Sequence, residues 1–302
     1  MNIVTDKLKE RLGKYNINAR EDIVDELREI TQELVLLGLK ESGIFNKANF
    51  QGGTALRLFY KTKRYSEDLD FVLDKSDNTF IWKPYLETVK DFVANYGCLF
   101  ELSDKSKVEN SVKKAFVKDT SIEQMMNFSW SMRSGTPEKI KIKLEMDSNP
   151  PLYSENEIKK YNFPYDYEVK IQKISSLFAG KCHALLCREY EKGRDWFDFQ
   201  WFVKNEIEPN YKYLKSMLEQ QGKYIDILKS NSNIEINKEW LCNELNKKCE
   251  ILNYNNINLD IENFTKNNPN VNFKKEDILK LIGKINSDEY GQNVSDGKIF
   301  KY

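Results

Sequence analysis

The stretch "FQGGTALRLFYKTKRYSEDLDFVLD", Phe50 to Asp74, decides how the chain is read. It sets two glycines and a threonine ahead of Asp68 and Asp70, two aspartates separated by one residue. Gly52 and Gly53 permit backbone torsions that a side chain resists, and Thr54 is placed to cap a helix over "ALRLFYK". "DLDFVLD" alternates Leu69, Phe71 and Leu73 with Asp68, Asp70 and Asp74, the mark of a strand with one apolar face. Residues two apart on a strand point the same way, so the two carboxylates stand about 6–7 Å apart on one side. Two such anions repel unless a cation lies with them. A hard divalent ion such as Mg²⁺, or Mn²⁺ in its place, takes oxygen ligands of this kind. A glycine turn opening a helix adds backbone N–H groups suited to a phosphate. Together these features suggest a metal-complexed polyphosphate as ligand.

A third acid belongs to such a site, and "KIKLEMD" offers it. With the preceding isoleucine this segment alternates Ile140, Ile142, Leu144 and Met146 with Lys141, Lys143, Glu145 and Asp147. Glu145 is the candidate and Asp147 its close competitor. Asp74 reads as a strand-end residue. The glycine stretch matches neither the G-x-x-x-x-G-K-[ST] phosphate loop nor the G-x-G-x-x-G dinucleotide turn. Lys61, Lys63 and Arg64 form a basic run beside the aspartates, read either as a solvated loop or as triphosphate and RNA-backbone contacts.

The rest of the chain limits the alternatives. Its 302 residues suffice for one large or two smaller domains. With 47 basic and 47 acidic side chains there is no global electrostatic case for nucleic acid, so any basic surface is local. No run approaches the roughly 20 apolar residues of a membrane span, and "MNIVTDKLKERLGKYN" has no long apolar core, so a cytoplasmic protein is expected. The five cysteines include no C-x-x-C pair, which suits a reducing compartment. His183 is the only histidine and reads as packed or hydrogen-bonded, since one histidine cannot build a His-rich zinc site.

Ile23, Leu27, Ile30, Leu34 and Leu37 recur at helical spacing, and "IWKPYLETVKDFVANYG" predicts another amphipathic helix. "KANFQ", "CLFELS", "KKAFVKD" and "IKIKLEMD" predict strands. "SNPPLYSENEIKKYNFPYD", with Pro150 and Pro151, predicts an irregular connector. From about Glu168 the pattern predicts helices over "KIQKISSLFAGKCHALLCREYEKG", "RDWFDFQWFVKN", "YKYLKSMLEQQGKYIDILKS" and "INKEWLCNELNKKCEILN". The Asn-rich "NYNNINLDIENFTKNNPNVNF" reads either as disorder or, from its interspersed Ile, Leu and Phe, as a loop between packed helices. The rings of "FDFQWFV" read as helix-packing residues rather than base platforms.

In order and combination, "GGTALRLFY", "RYSEDLDF", "KIKLEMDSNP", "LFAGKCHALLCR" and "KGRDWFDF" resemble the AbiEii/AbiGii-type nucleotidyltransferase toxins, distant members of the polymerase-beta-like nucleotidyltransferase superfamily. The likeness runs from about Ala19 to Val203. It implies a polymerase-beta-like core with a mixed sheet; with the change from mixed to helical pattern between about residues 150 and 168, the expectation is an α+β fold, an α/β nucleotidyltransferase domain over 1–160 followed by a mainly helical domain over 161–302 that completes the cleft. It further implies that Asp68 and Asp70 hold metal, that Gly52, Gly53 and Thr54 handle phosphate, and that Lys181, Asp195 and Asp198 have functional roles, with Ser66 in "RYSEDLDF" as support.

Read from the residues alone, Lys181 is either a surface lysine or a cation for a polyphosphate. Arg188, seven residues later on the same predicted helical face, is a second candidate cation. Asp195 and Asp198 lie three apart and can orient Lys181 or Arg194. The expected activity is metal-dependent transfer of a nucleotide from an NTP to an acceptor hydroxyl. The resemblance suggests RNA, tRNA in particular, as acceptor and a separately encoded antitoxin as partner. D-x-D also occurs in nucleotide-sugar glycosyltransferases, which have no ordinary need of the glycine helix start. A non-catalytic nucleotide-binding module is a third reading, against which three acids argue.

Overall fold

The computed structural model describes residues 6–7, 10–11, 20–107, 109–119, 121, 140–231, 233–265 and 271–291. Most of the N-terminal stretch read above for an apolar leader lies outside these, as do the side chain of Ile23 and residues 266–270 of the Asn-rich segment. The architecture is a mixed α+β core built on a multi-stranded sheet, followed by a helical C-terminal region. Two compact units are present: Met1–Ala55 with Tyr65–Pro150 and Ile158–Ile171, and Leu56–Arg64 with Pro151–Glu157 and Gln172–Tyr302.

Along the chain, helix α1 (Arg20–Glu41) is followed by β1 (Ala48–Gln51), α2 (Gly52–Tyr60), β2 (Asp68–Leu73), α3 (Lys83–Ala94), β3 (Phe100–Asp104), β4 (Val112–Asp119) and β5 (Ile140–Asp147), all within the first unit except Leu56–Tyr60 of α2. Leu27, Ile30, Leu34 and Leu37 of α1 are buried, as their spacing predicts, but so are Val35, Leu36 and Leu39. The helix is therefore enclosed over much of its circumference, packing on α3 and β5. Two further strands, β6 (Asn156–Tyr161) and β7 (Tyr167–Gln172), complete a seven-stranded sheet of order β3-β4-β5-β2-β1-β7-β6. β2 runs antiparallel to β1 and parallel to β5.

β6 corrects the expectation of an irregular connector. It lies at the sheet edge and carries Glu157, Lys159 and Lys160 within six residues. Such a charged composition reads as loop, although it is also how sheets blunt their edges. β7 corrects a second expectation, that helix begins near Glu168. Val169 and Ile171 are buried and alternate with Glu168 and Lys170, a period of two that runs directly into an apolar helical segment.

The second unit holds α4 (Ile174–Cys187), α5 (Gly193–Lys204), α6 (Tyr211–Gln220), α7 (Ile225–Ser230), α8 (Lys238–Cys249), α9 (Tyr254–Phe264) and α10 (Lys275–Ile285). The rings of "FDFQWFV" are core, as expected: Phe199 and Phe202 are fully buried, and Phe202 stacks on Phe178 with centroids 4.4 Å apart. α9 replaces the expected Asn-rich loop. The side-chain oxygen of Asn253 accepts from the Asn256 N–H, and Ile257 and Ile261 are buried. Asn210 and Asn237 start α6 and α8 in the same way, so asparagine serves in this chain as a helix cap.

Candidate active site

In the first unit the site is built on one register. Across the parallel β2–β5 ladder Asp68 lies opposite Lys143 and Asp70 opposite Glu145, so all four side chains share a face. The Lys143 Nζ is 2.8 Å from Glu145 Oε1 and 3.8 Å from Asp68 Oδ2. Lys114, on β4, is 3.5 Å from Glu145 Oε1. Burial alone would lower the Lys143 pKa, but the Glu145 hydrogen bond and the charges of Asp68, Glu145 and Asp70 outweigh it and raise it. Lys143 is the residue that sequence reasoning missed. Its place on the polar face of β5 is visible in the alternation, but its ladder partner is not.

Asp147 pairs with Val72 instead, beyond the aspartates. Its carboxylate accepts from the Asn149 N–H at 2.9 Å, and burial raises its pKa. Asp74 is held by Lys170 at 2.7 Å and Asn49 at 3.0 Å, as suits a strand-end residue.

Gly52 opens α2 with φ +81°, a left-handed conformation that favours glycine. It also has no room for a side chain: a Cβ there would lie 2.2 Å from Asp70 Oδ2 and 2.9 Å from Asp70 Cγ. α2 starts three residues earlier than expected, at Gly52 rather than Ala55, which corrects the capping role given to Thr54. The Thr54 side chain is buried and its hydroxyl donates to the Asp68 carbonyl, tying the first turn of α2 to β2. The first-turn amides of α2 have no intrahelical acceptor. Ser66 accepts at its carbonyl from Gln32 Nε2 at 2.9 Å.

Among the described residues no group of three or more His, Cys, Asp or Glu side chains is drawn together as a metal centre. The donor set nevertheless suits a hard cation. Asp68, Asp70 and Glu145 present oxygen ligands on one face, and positive charge already sits among them on Lys143.

The second unit contains a buried ionic chain. Arg64 is 1 % exposed, and its Nε and Nη2 each donate to Asp198 at 2.6 Å. This corrects its placement in an exposed basic run: Lys61 and Lys63 are exposed, whereas Arg64 is enclosed. Asp198 also meets Lys181 Nζ at 2.7 Å, and Lys181 reaches Asp195 at 3.1 Å. Asp195 in turn accepts from Arg188. Three cations thus share two buried carboxylates. Burial would raise the Asp198 pKa, but the charges and hydrogen bonds of Arg64 and Lys181 hold it below the ordinary carboxylate value. Arg188 follows the end of α4 in an extended conformation, so the expected shared helical face does not exist; Asp195 brings the two cations together instead. His183 is hydrogen-bonded to the Gln221 carbonyl at 3.1 Å, as expected.

Comparison with known proteins identifies the family. The one described as "Nucleotidyl transferase AbiEii toxin, Type IV TA system" matches residues 34–280, and the chain belongs to that family, within the polymerase-beta-like superfamily. A crystal structure described as a "putative nucleotidyltransferase from H. pylori" is similar over 85% of this chain and 92% of its own, at 19% identity and a TM-score of 0.50, which supports the fold. JHP933 from Helicobacter pylori gives 19% identity, coverage of 85% and 89%, and a TM-score of 0.49. The nucleotidyltransferase toxin MenT4 of Mycobacterium tuberculosis H37Rv gives 17% identity, coverage of 92% and 99%, and a TM-score of 0.48. No curated protein matches significantly. Among the described residues no helix is long and apolar enough to cross a membrane.

Proposed function

We propose that the protein is a metal-dependent nucleotidyltransferase that moves a nucleoside monophosphate from an NTP to an acceptor hydroxyl on RNA, tRNA being the class suggested by resemblance. It would act in the cytoplasm as the toxin of a toxin–antitoxin or phage-defence module, with a separately encoded antitoxin. The observation that carries this reading is the β2–β5 register, which puts Asp68, Asp70 and Glu145 on one face with Gly52 against Asp70.

Asp68, Asp70 and Glu145 are the residues that would hold Mg²⁺ or Mn²⁺, with Asp147 kept to its turn at the end of β5. Bound there, the ion supplies charge stabilisation at the α-phosphate and activation of the acceptor hydroxyl. The acceptor oxygen, losing its proton, bonds to the α-phosphorus, and the bond to the departing pyrophosphate breaks. The first-turn amides of α2, at Gly52, Gly53 and Thr54, orient the phosphates. Lys181, in the "LFAGKCHALLCR" segment that carries the family resemblance and within the matched residues 34–280, is assigned as a cation for the phosphates. Arg188, the more exposed end of its ionic chain, shares the role, while Arg64, Asp195 and Asp198 hold Lys181 in place.

Lys181→Met tests the assignment. Each aspartate keeps one cation, Arg188 or Arg64, so the fold is expected to survive. NTP titration and turnover are expected to show weaker binding and a large transfer defect. Lys173→Met is the control: Lys173 precedes α4 and pairs at the surface with Glu155, so its loss should be silent. Equal, small effects from both substitutions would remove Lys181 from the phosphate site.

A further inference from the structure

The second unit has a cleft of about 730 Å³ that the proposed chemistry does not use. α5 and α10 contribute its walls, and four lysines line it: Lys63, Lys204, Lys280 and Lys284. All four are exposed, against a single lining carboxylate, Asp277, whose oxygen is engaged by the Lys274 N–H at 3.1 Å. Lys284 is 3.6 Å from Glu206. Neither Lys204 nor Lys280 has an acidic partner among the described residues. In a chain with formal net charge 0, this is a local concentration of positive charge.

We propose that this cleft binds the phosphate backbone of single-stranded RNA. The proposal rests on the reading of RNA as acceptor, and gives the second unit a hold on that acceptor through its phosphates. Two features favour RNA over an acidic protein. The cleft is rich in lysine and lined by no arginine, whereas protein interfaces are depleted in lysine and anchored by aromatic and arginine side chains. Its aromatic residues, Phe197, Trp201 and Phe273, are buried, so they offer little apolar surface to a protein side chain and no stacking platform to a base. Val271 and Leu281 add half-buried apolar surface, and the accessible polar groups are the ammonium groups together with the Gln200 and Asn272 amides, which suit a regularly charged backbone read without sequence preference.

The experiment compares the full-length wild type, the Lys204→Ala/Lys280→Ala double variant and Lys173→Ala, a surface lysine outside the cleft. Binding of a fluorescein-labelled single-stranded RNA is followed by anisotropy, without NTP, over a series of salt concentrations. Removing one lysine–phosphate pairing should reduce the slope of log affinity against log salt by about 0.7, so the double variant should be shallower by about 1.4. The same relation gives an affinity about tenfold lower near 0.15 M salt. Lys173→Ala should bind as the wild type does. Unchanged affinity and slope in the double variant would overturn the proposal, as would competition by poly-glutamate equal, charge for charge, to that of unlabelled RNA. Wild-type transfer to RNA alongside unaffected double-variant binding would sink the cleft and leave the catalytic reading standing. Cleft-dependent binding with no transfer to any RNA would sustain the cleft and remove the reading of RNA as acceptor.

Discussion

Asp198→Ala is expected to destabilise the protein by about 3–5 kcal/mol, the cost of removing one partner of a buried ion pair. The carboxylate is fully buried and bidentate to Arg64, itself 1 % exposed, so water cannot replace it. Lys181 keeps Asp195, but Arg64 loses both of its short bonds to Asp198. Replacing both partners, Arg64→Met with Asp198→Leu, should recover much of the stability, since an apolar pair of similar volume needs no compensation. Chemical denaturation of the two singles and the double checks this, and a double variant no better than either single would contradict it. The pH dependence follows from the sign of the shift. Asp198 has a folded pKa below its ordinary 3.8, so its stabilisation is present above that value and disappears as pH falls through the lower folded value. The gap between wild type and Asp198→Asn should therefore narrow only in strong acid.

Gly52→Ala is expected to reduce transfer by about a hundredfold or more, the scale of an ångström-sized misplacement of a catalytic group. The added methyl must take space now held by Asp70, and the φ of +81° disfavours any side chain there. Asp70 is too short to swing clear with only its tip, because its Cβ also lies 2.9 Å from the added carbon. Gly53→Ala, at a position without a positive φ, controls for the loss of a glycine from this turn. Turnover for Gly52→Ala within a few-fold of wild type, in a protein of unchanged circular dichroism, would show that Asp70 does not need its present position.

The carboxylate face is legible in the sequence wherever a local pattern carries it. The alternation of "DLDFVLD" and "IKIKLEMD" marks two strands and their polar faces, and the Gly-Gly pair marks a special backbone ahead of the first. That Asp70 faces Glu145, with Lys143 set among the acids, depends on which strands pair and in what register, and neither strand encodes that alone. β6 escapes a sequence reading because charged edge strands share the composition of loops, and α9 because asparagine, common in loops, here caps a helix. The Arg64–Asp198 pair joins residues 134 apart and leaves no local mark. The spacing of Asp195 and Asp198 does carry a signal, and both carboxylates pair with Lys181, one of the two cations that spacing points to.

Metal-dependent nucleotide transfer to RNA is tested most directly by following label from α-phosphate-radiolabelled NTPs into total cellular RNA with Mg²⁺, comparing wild type with Asp70→Asn and resolving RNA and protein on separate gels. Asp70→Asn nearly preserves side-chain size while removing one charge from the carboxylate face. Labelled RNA is expected with the wild type and none with the variant, at unchanged circular dichroism. Labelling by Asp70→Asn at the wild-type level, or label found only on protein, would contradict this expectation.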